Sequence, residues 1–160
     1  MGFGWGLGPR NRWLYRGGRP HRVARAINAV HARWFAHGFL APRGAATLQV
    51  RGRRTGRLIS CPVAVLHHQD GARYLVAMLG PQTNWARNAR AAGGAATLLR
   101  GWHERVRLVE VPVPDRAPIL RAYLETTPGA RPHIRLSPDA PLAMFDAVAE
   151  DLPVFRVDPR

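Results

Sequence analysis

The chain contains no lysine: all 24 of its strongly basic side chains are arginine. Cysteine is nearly absent as well. Cys61 stands alone among 160 residues, which excludes an intrachain disulfide framework and a cysteine-rich zinc site. No long apolar run exists; the longest clean one is Tyr74 to Leu79, six residues where a membrane span needs roughly 20. The positive N-terminus has no apolar stretch behind it, so no secretory leader is expected and the cytoplasm is the expected compartment. Glycine (16) and proline (14) show no triplet period, which removes collagen, and a hydrophobic content of 46% removes a wholly disordered chain. The length suits one domain with a real core.

Acids are scarce and late, the first being Asp70. Residues 1–69 carry twelve Arg and no Asp or Glu, a formal +12, whereas residues 70–160 carry twelve Arg against ten acids, a formal +2. Such a field attracts polyanions: nucleic acid, anionic lipid, or a phosphorylated, carboxylate-rich cofactor. A lysine-free, alanine-rich composition also arises from G+C-rich coding without functional cause. That accounts for arginine in place of lysine but not for an acid-free first 69 residues.

Residues 1–19 read as a basic tail with Trp5, Trp13 and Tyr15 interleaved. Such a segment is either simply solvated or binds RNA or a membrane surface. A helix is expected over 20–38: Val23, Ile27, Val30 and Trp34 share one face, Arg22, Arg25 and Arg33 lie opposite, and Gly38 stops it. A domain over 40–158 follows. Its strands are expected at Thr47–Arg51, Leu58–His67 (broken or bulged at Pro62), Arg73–Leu79, Ala96–Arg100, Glu104–Val111 and Pro153–Val157. A short helix starts at a Thr83 or Asn84 cap and runs to Ala92, where Gly93-Gly94 ends it. Further helices are expected over Pro114–Thr126 and Pro141–Asp151, with a proline-rich loop over 128–140. Five to six mainly antiparallel strands joined by hairpins, with peripheral helices, give an α+β fold on a small barrel.

Catalytic constellations are thin. No carboxylate pair sits in a recognisable motif, and neither Ser60 nor Ser137 has a nucleophile-elbow context. Cys61 and His67 lie six apart in one extended strand, about 20 Å, so Cys61 reads as a small buried residue. His67 and His68 point to opposite strand faces, a poor metal pair, and no metal site is expected. Two segments carry more. In Gly52-Arg53-Arg54-Thr55-Gly56-Arg57, three guanidinium groups, a hydroxyl and turn amides gather between two strands, either as a phosphate nest or as an ordinary arginine-rich hairpin turn. In Asn84-Trp85-Ala86-Arg87-Asn88, a helix start presents amides beside Asn84 and Arg87, and Trp85 either covers an aromatic ring or packs the core.

The stretches GRRTGRLISCPV, DGARYLVAMLG, NWARNARAAGG and DLPVFRVDP, in that order over about residues 45–158, resemble the deazaflavin-dependent nitroreductase and quinone reductase family. The resemblance implies a split β-barrel that binds a reduced deazaflavin, coenzyme F-420, and passes a hydride to a quinone, nitro compound or similar acceptor. It implies a cofactor with a phosphodiester and an oligoglutamate tail, which suits the acid-free first half. By position, Arg53, Arg54 and Thr55 match the phosphate-side turn, with Arg57 standing in for a family basic residue where this chain has Ile59. Cys61, Pro62 and Val63 match the strand beside the ring; Met78, Leu79 and Gly80 the loop that meets ring or tail; Trp85 and Asn88 the helix that follows. The loop after the third strand is shorter here and lacks the usual basic residue. Tyr123 and His133 fall in the region that borders the substrate in similar proteins and are the candidate proton donors. FMN in place of deazaflavin is the enzymatic alternative. A basic module for anionic membrane or, less expected, nucleic acid is the non-enzymatic one. Exposed barrel edges make a homodimer an expectation.

Overall fold

The computed structural model describes residues 44–160 and, ahead of them, only the backbone of Tyr15–Arg16 (β1) and Arg19–Pro20 (β2), which pair antiparallel. The expected helix over 20–38 lies outside the described residues except for Pro20, which belongs to β2 instead, and the rest of the tail over 1–19 lies outside them too.

Six strands, β3 (Ala45–Arg51), β4 (Leu58–His67), β5 (Arg73–Val76), β6 (Ala95–Leu99), β7 (His103–Glu110) and β8 (Val154–Pro159), close into an antiparallel barrel of order β3-β4-β5-β8-β7-β6. Local hairpins make β3–β4, β4–β5 and β6–β7; β8 arrives last and bridges β5 to β7, which closes the ring. This is the α+β split barrel expected from the sequence. Its helices are α1 (Asn84–Ala91), α2 (Arg116–Thr126), α3 (Arg131–Ile134) and α4 (Leu142–Val148).

Strand alternation feeds two cores. Leu48, Val50, Val63, Leu75, Leu108, Phe155 and Val157 fill the barrel, and Ala86 and Ala89 of α1 join them. The outward residues Leu66, Tyr74, Val76 and Val154 pack instead against Leu120, Tyr123, Leu124 and Phe145 of the helices. A buried Arg116 ties this outer layer to the barrel. Its guanidinium donates to the Val111 carbonyl (2.8 Å), the Ala149 carbonyl (2.9 Å) and Glu110 Oε1 (3.1 Å). Glu110 also accepts a forked pair from Arg90 of α1, both bonds 2.7 Å.

Several elements differ from the sequence expectation. Pro62 neither breaks nor bulges β4, because β5 pairs with β4 only from Val65 onward and Val65 donates to Gly44 on the β3 side. Alternation then points the Pro62 nitrogen at the edge that has no partner strand among the described residues, where no N–H is needed. β5 stops at Val76, not Leu79: Ala77 N–H bonds to the Pro153 carbonyl (2.8 Å) and the chain turns at Gly80, φ +93°. Thr83 precedes α1 but does not cap it with its side chain; its hydroxyl donates to the Gly80 carbonyl (2.7 Å). The 128–140 segment is not all loop, since Pro128–Ala130 forms a 3-10 turn and α3 follows, ending at Arg135 with φ +35°.

Gly94 enters β6 with φ +84°, and a Cβ there would run into the Leu108 carbonyl oxygen. Gly93 is left-handed too (φ +60°) but has open space. Gly94→Ala should therefore cost more than about 2 kcal/mol and Gly93→Ala about 1 kcal/mol, read from urea unfolding. The Arg90 guanidinium, bonded to Glu110, holds that carboxyl below its usual range, with Arg116 adding to the effect. A lowered folded pKa means stability present at neutral pH and lost as pH falls through that range. Glu110→Gln should lose about 1–2 kcal/mol at neutral pH, and the difference from the parent chain should shrink below about pH 4.

Candidate functional site

The turn between β3 and β4 is closed on itself. Gly52 N–H donates to the Arg57 carbonyl and Gly56 N–H to the Gly52 carbonyl, both 2.8 Å. A side chain at Gly52 would crowd Ile59, the Arg57 carbonyl and the Thr55 hydroxyl. Arg51 donates to the Gly56 carbonyl (2.7 Å), and Thr55 Oγ1 accepts from Arg57 N–H (3.4 Å). Most of the amides expected to cradle a phosphate are thus already used by the turn; those of Arg54 and Thr55 have no partner among the described residues.

One bond brings the two sequence segments together. Asn88 Oδ1 accepts from the Arg53 backbone N–H (3.2 Å) and from Arg53 Nη1 (2.8 Å). Asn88 is 2% exposed, so this acceptor fixes the turn against α1. Asn84 lies one helical turn toward the N-terminus on the same face as Asn88, exposed. Arg87 is half-buried beside it. The guanidinium groups of Arg54 and Arg57 are exposed, and no carboxylate pairs with them or with Arg87 among the described residues. The structure therefore joins the turn that carries Arg53, Arg54, Thr55 and Arg57 to the helix that carries Asn84, Arg87 and Asn88, with Arg53 and Asn88 as the brace.

The other expected contacts divide. Cys61 and Val63 turn into the barrel. The Cys61 thiol donates weakly to the Leu48 carbonyl (3.7 Å), and burial pushes it up to about 12. Val63 is buried, whereas Cys61 and Pro62 are half-buried. Trp85 also belongs to the packing, its ring tilted against Phe155 with centroids 5.3 Å apart. Met78, Leu79 and Gly80 line an open cleft of about 380 Å³ together with Pro81, His133, Asp151 and Leu152. Tyr123 does not reach it: at 1% exposure it sits in the outer core, where burial drives its phenol pKa up. Of the two candidate proton donors, the cleft holds His133 alone. The sequence reading missed Asp151 and Leu152, although both belong to the DLPVFRVDP ending that carried the family resemblance.

The cleft opens at the loop before α1, and the arginine turn meets α1 at Asn88, in its middle. Along the helix axis the two are about four to five residues apart, roughly 6–8 Å. Such a layout suits an elongated ligand with acidic groups at one end. A second cleft, about 330 Å³, lies between the end of β4 and α2; His67 and His68 both line it, because β4 ends at His67 and strand alternation no longer applies. Among the described residues no group of three or more His, Cys, Asp or Glu could hold a metal ion, and no helix is long and apolar enough to cross a membrane.

If the Asn88 brace holds the turn, Asn88→Ala should cost about 1–3 kcal/mol, since it strands a buried donor. Amide exchange at Arg53 should accelerate more than at residues in mid-β3. Unchanged exchange at Arg53 would assign Asn88 to packing alone.

No protein-family model and no curated protein matches the sequence. Solved structures do match. A protein of unknown function from Agrobacterium tumefaciens aligns over 87% of this chain with TM-score 0.55 and 14% identity; the chain spans about half, 55%, of that structure. An F-420-H2 dependent reductase aligns over 72% of this chain and 95% of its own, with TM-score 0.51 and 16% identity. A domain-swapped dimer aligns over 85% and 96%, with TM-score 0.53 and 15% identity. At these identities the likeness is one of fold, and the fold this chain shares with them is the split barrel.

Proposed function

We propose that the chain is a split-barrel oxidoreductase that binds a deazaflavin coenzyme of the F-420 type and passes a hydride to a quinone, nitro compound or similar small acceptor. The observation that carries the reading is the joining of the Gly52–Arg57 turn to α1 through Asn88, with Arg54 and Arg57 exposed and, among the described residues, without a carboxylate partner. The fold likeness to an F-420-H2 dependent reductase supports it.

The residues present fit such a group. Its phosphodiester and glutamate tail call for cationic donors, and the donor set here is Arg54, Arg57, Arg87 and Asn84 with no acid among them. Arg54 and Arg57 would hold the phosphate by charge-assisted bonds, Arg87 and Asn84 would extend that field along α1, and the Met78–Gly80 loop would meet the ring. The coenzyme supplies the hydride when bound, and the protein supplies position and charge. His133, which lines the cleft with Asp151, would deliver a proton to the reduced acceptor in this reading. A homodimer belongs to the same proposal: over 58–64 one edge of β4 has no partner strand among the described residues, and a neighbour of the same fold is a dimer.

Fluorescence titration with the reduced and oxidised deazaflavin, and with FMN, tests this. Arg54→Ala should weaken deazaflavin affinity on the order of ten- to a hundredfold. Its stability should change by less than about 0.5 kcal/mol, because Arg54 is exposed. Arg16→Ala, in the tail, should leave affinity unchanged. Equal small losses in both variants would mean that general charge alone acts, and the phosphate site would have to go. Tight FMN binding without deazaflavin binding would move the protein to the flavin alternative.

A further inference from the structure

At the end of β3 away from the arginine turn, the β6–β7 hairpin carries the sequence Arg100-Gly101-Trp102-His103. Gly101, at φ +77°, and the Arg100 N–H bond to the Trp102 carbonyl (3.0 Å) make the bend tight and throw Trp102 outward. Trp102 is 63% exposed and is the one aromatic among the exposed large apolar side chains of the described residues. His103 and Arg105 follow on the outer face of β7, both exposed, while Val106 turns into the barrel. Neither Arg100 nor Arg105 has a carboxylate partner among the described residues. The nearby acids are occupied: Glu104 takes a forked pair from Arg73 (2.7 and 2.6 Å), and Asp70 faces His68 at 3.0 Å.

Residues 1–43 join the barrel at this same end. Gly44 leads into β3, whose Thr47 is opposite Leu99 at the base of the hairpin. That preceding segment holds eight Arg and no acid.

We propose that this hairpin tip is a docking point for an anionic lipid surface. Tryptophan has an apolar body and one N–H donor, which suits the headgroup boundary, and arginines around it pair with lipid phosphates while their stems stay apolar. Charge complementarity selects anionic over zwitterionic lipid. A single-stranded nucleic acid is the poorer fit, because it needs successive aromatic platforms along a groove and this tip is convex with one ring. The tip and the arginine turn lie at least four residues apart along β3, roughly 14 Å, so a docked barrel leaves the turn and the open edge of β4 uncovered. The inference does not depend on the cofactor.

Vesicle flotation of the full chain tests it, with phosphatidylcholine alone against phosphatidylcholine mixed with phosphatidylglycerol. The chain should float with the anionic vesicles only. Arg100→Ala and Arg105→Ala should each lower the partition coefficient about fivefold, and Trp102→Ala by a comparable factor. Arg100→Lys with Arg105→Lys should retain binding. Unchanged partition in the alanine variants, or equal flotation with both vesicle types, overturns the proposal. So does loss of oligonucleotide binding in the same variants with vesicle binding intact. All three positions are exposed or half-buried at a hairpin tip, and matched melting curves confirm that each variant is folded.

Discussion

The strands β4, β5 and β8 of this barrel must serve two hydrophobic cores at once. Alternate residues fill the interior, and the residues between them receive α2, α3 and α4 on one side of the ring. A register slip of one residue in any of these three strands would exchange the two sets, so closure and helix packing enforce the same register. The interior has a further demand, since a ring of strands needs a cover at its end. α1 supplies it with the small side chains Ala86 and Ala89, which let the helix approach closely, and with Trp85 against Phe155. Polar chemistry is thereby pushed to turns, strand edges and the ends of the barrel.

That constraint explains which parts of the site were legible in the sequence. The turn and the helix were, because Gly52, Gly56, Gly93 and Gly94 punctuate the chain and the arginines between them have no apolar alternative role. The direction of Cys61, Val63 and Trp85 was not. A motif gives the neighbourhood of a residue, but which face of a strand meets the interior is decided by closure through β8, more than 90 residues further along the chain. Tyr123 illustrates the same limit on α2, where the face toward the outer core became visible only once β5 and β8 lay beneath it. The consumption of turn amides by Asn88 and by the turn itself was equally invisible, since it depends on a contact 35 residues apart.

The elements were read with similar selectivity. The Gln69-Asp70-Gly71 hairpin formed as its residues dictate, with Ala72 N–H on Asp70 Oδ1 at 2.8 Å. β5 came out short because hydrophobicity continues through Met78 and Leu79 while the backbone has already left for Pro153. Apolar character marks burial, and in this segment burial in a cleft wall resembles burial in a strand.

The charge asymmetry acquires a structural meaning from the pairs. Glu104, Glu110 and Asp158 in the second half each hold an arginine of that half, and Asp70 holds His68. Those four acids tie the barrel together, and the other six, from Asp115 to Asp151, make no ion pair among the described residues and lie in the helical segment between β7 and β8, away from the β3–β4 turn in sequence. Arg51 turns to a carbonyl within its own turn, and Arg54 and Arg57 point to solvent. The excess positive charge is consequently displayed at two ends of β3 that differ in kind. At the turn, Asn88 and the internal bonds fix the backbone against α1, so the exposed guanidiniums of Arg54 and Arg57 project from a held position. At the hairpin tip no comparable side-chain brace occurs among the described residues. The difference follows from whether α1 reaches that end of β3, so the helix that covers the barrel is also the element that decides which of its turns is held.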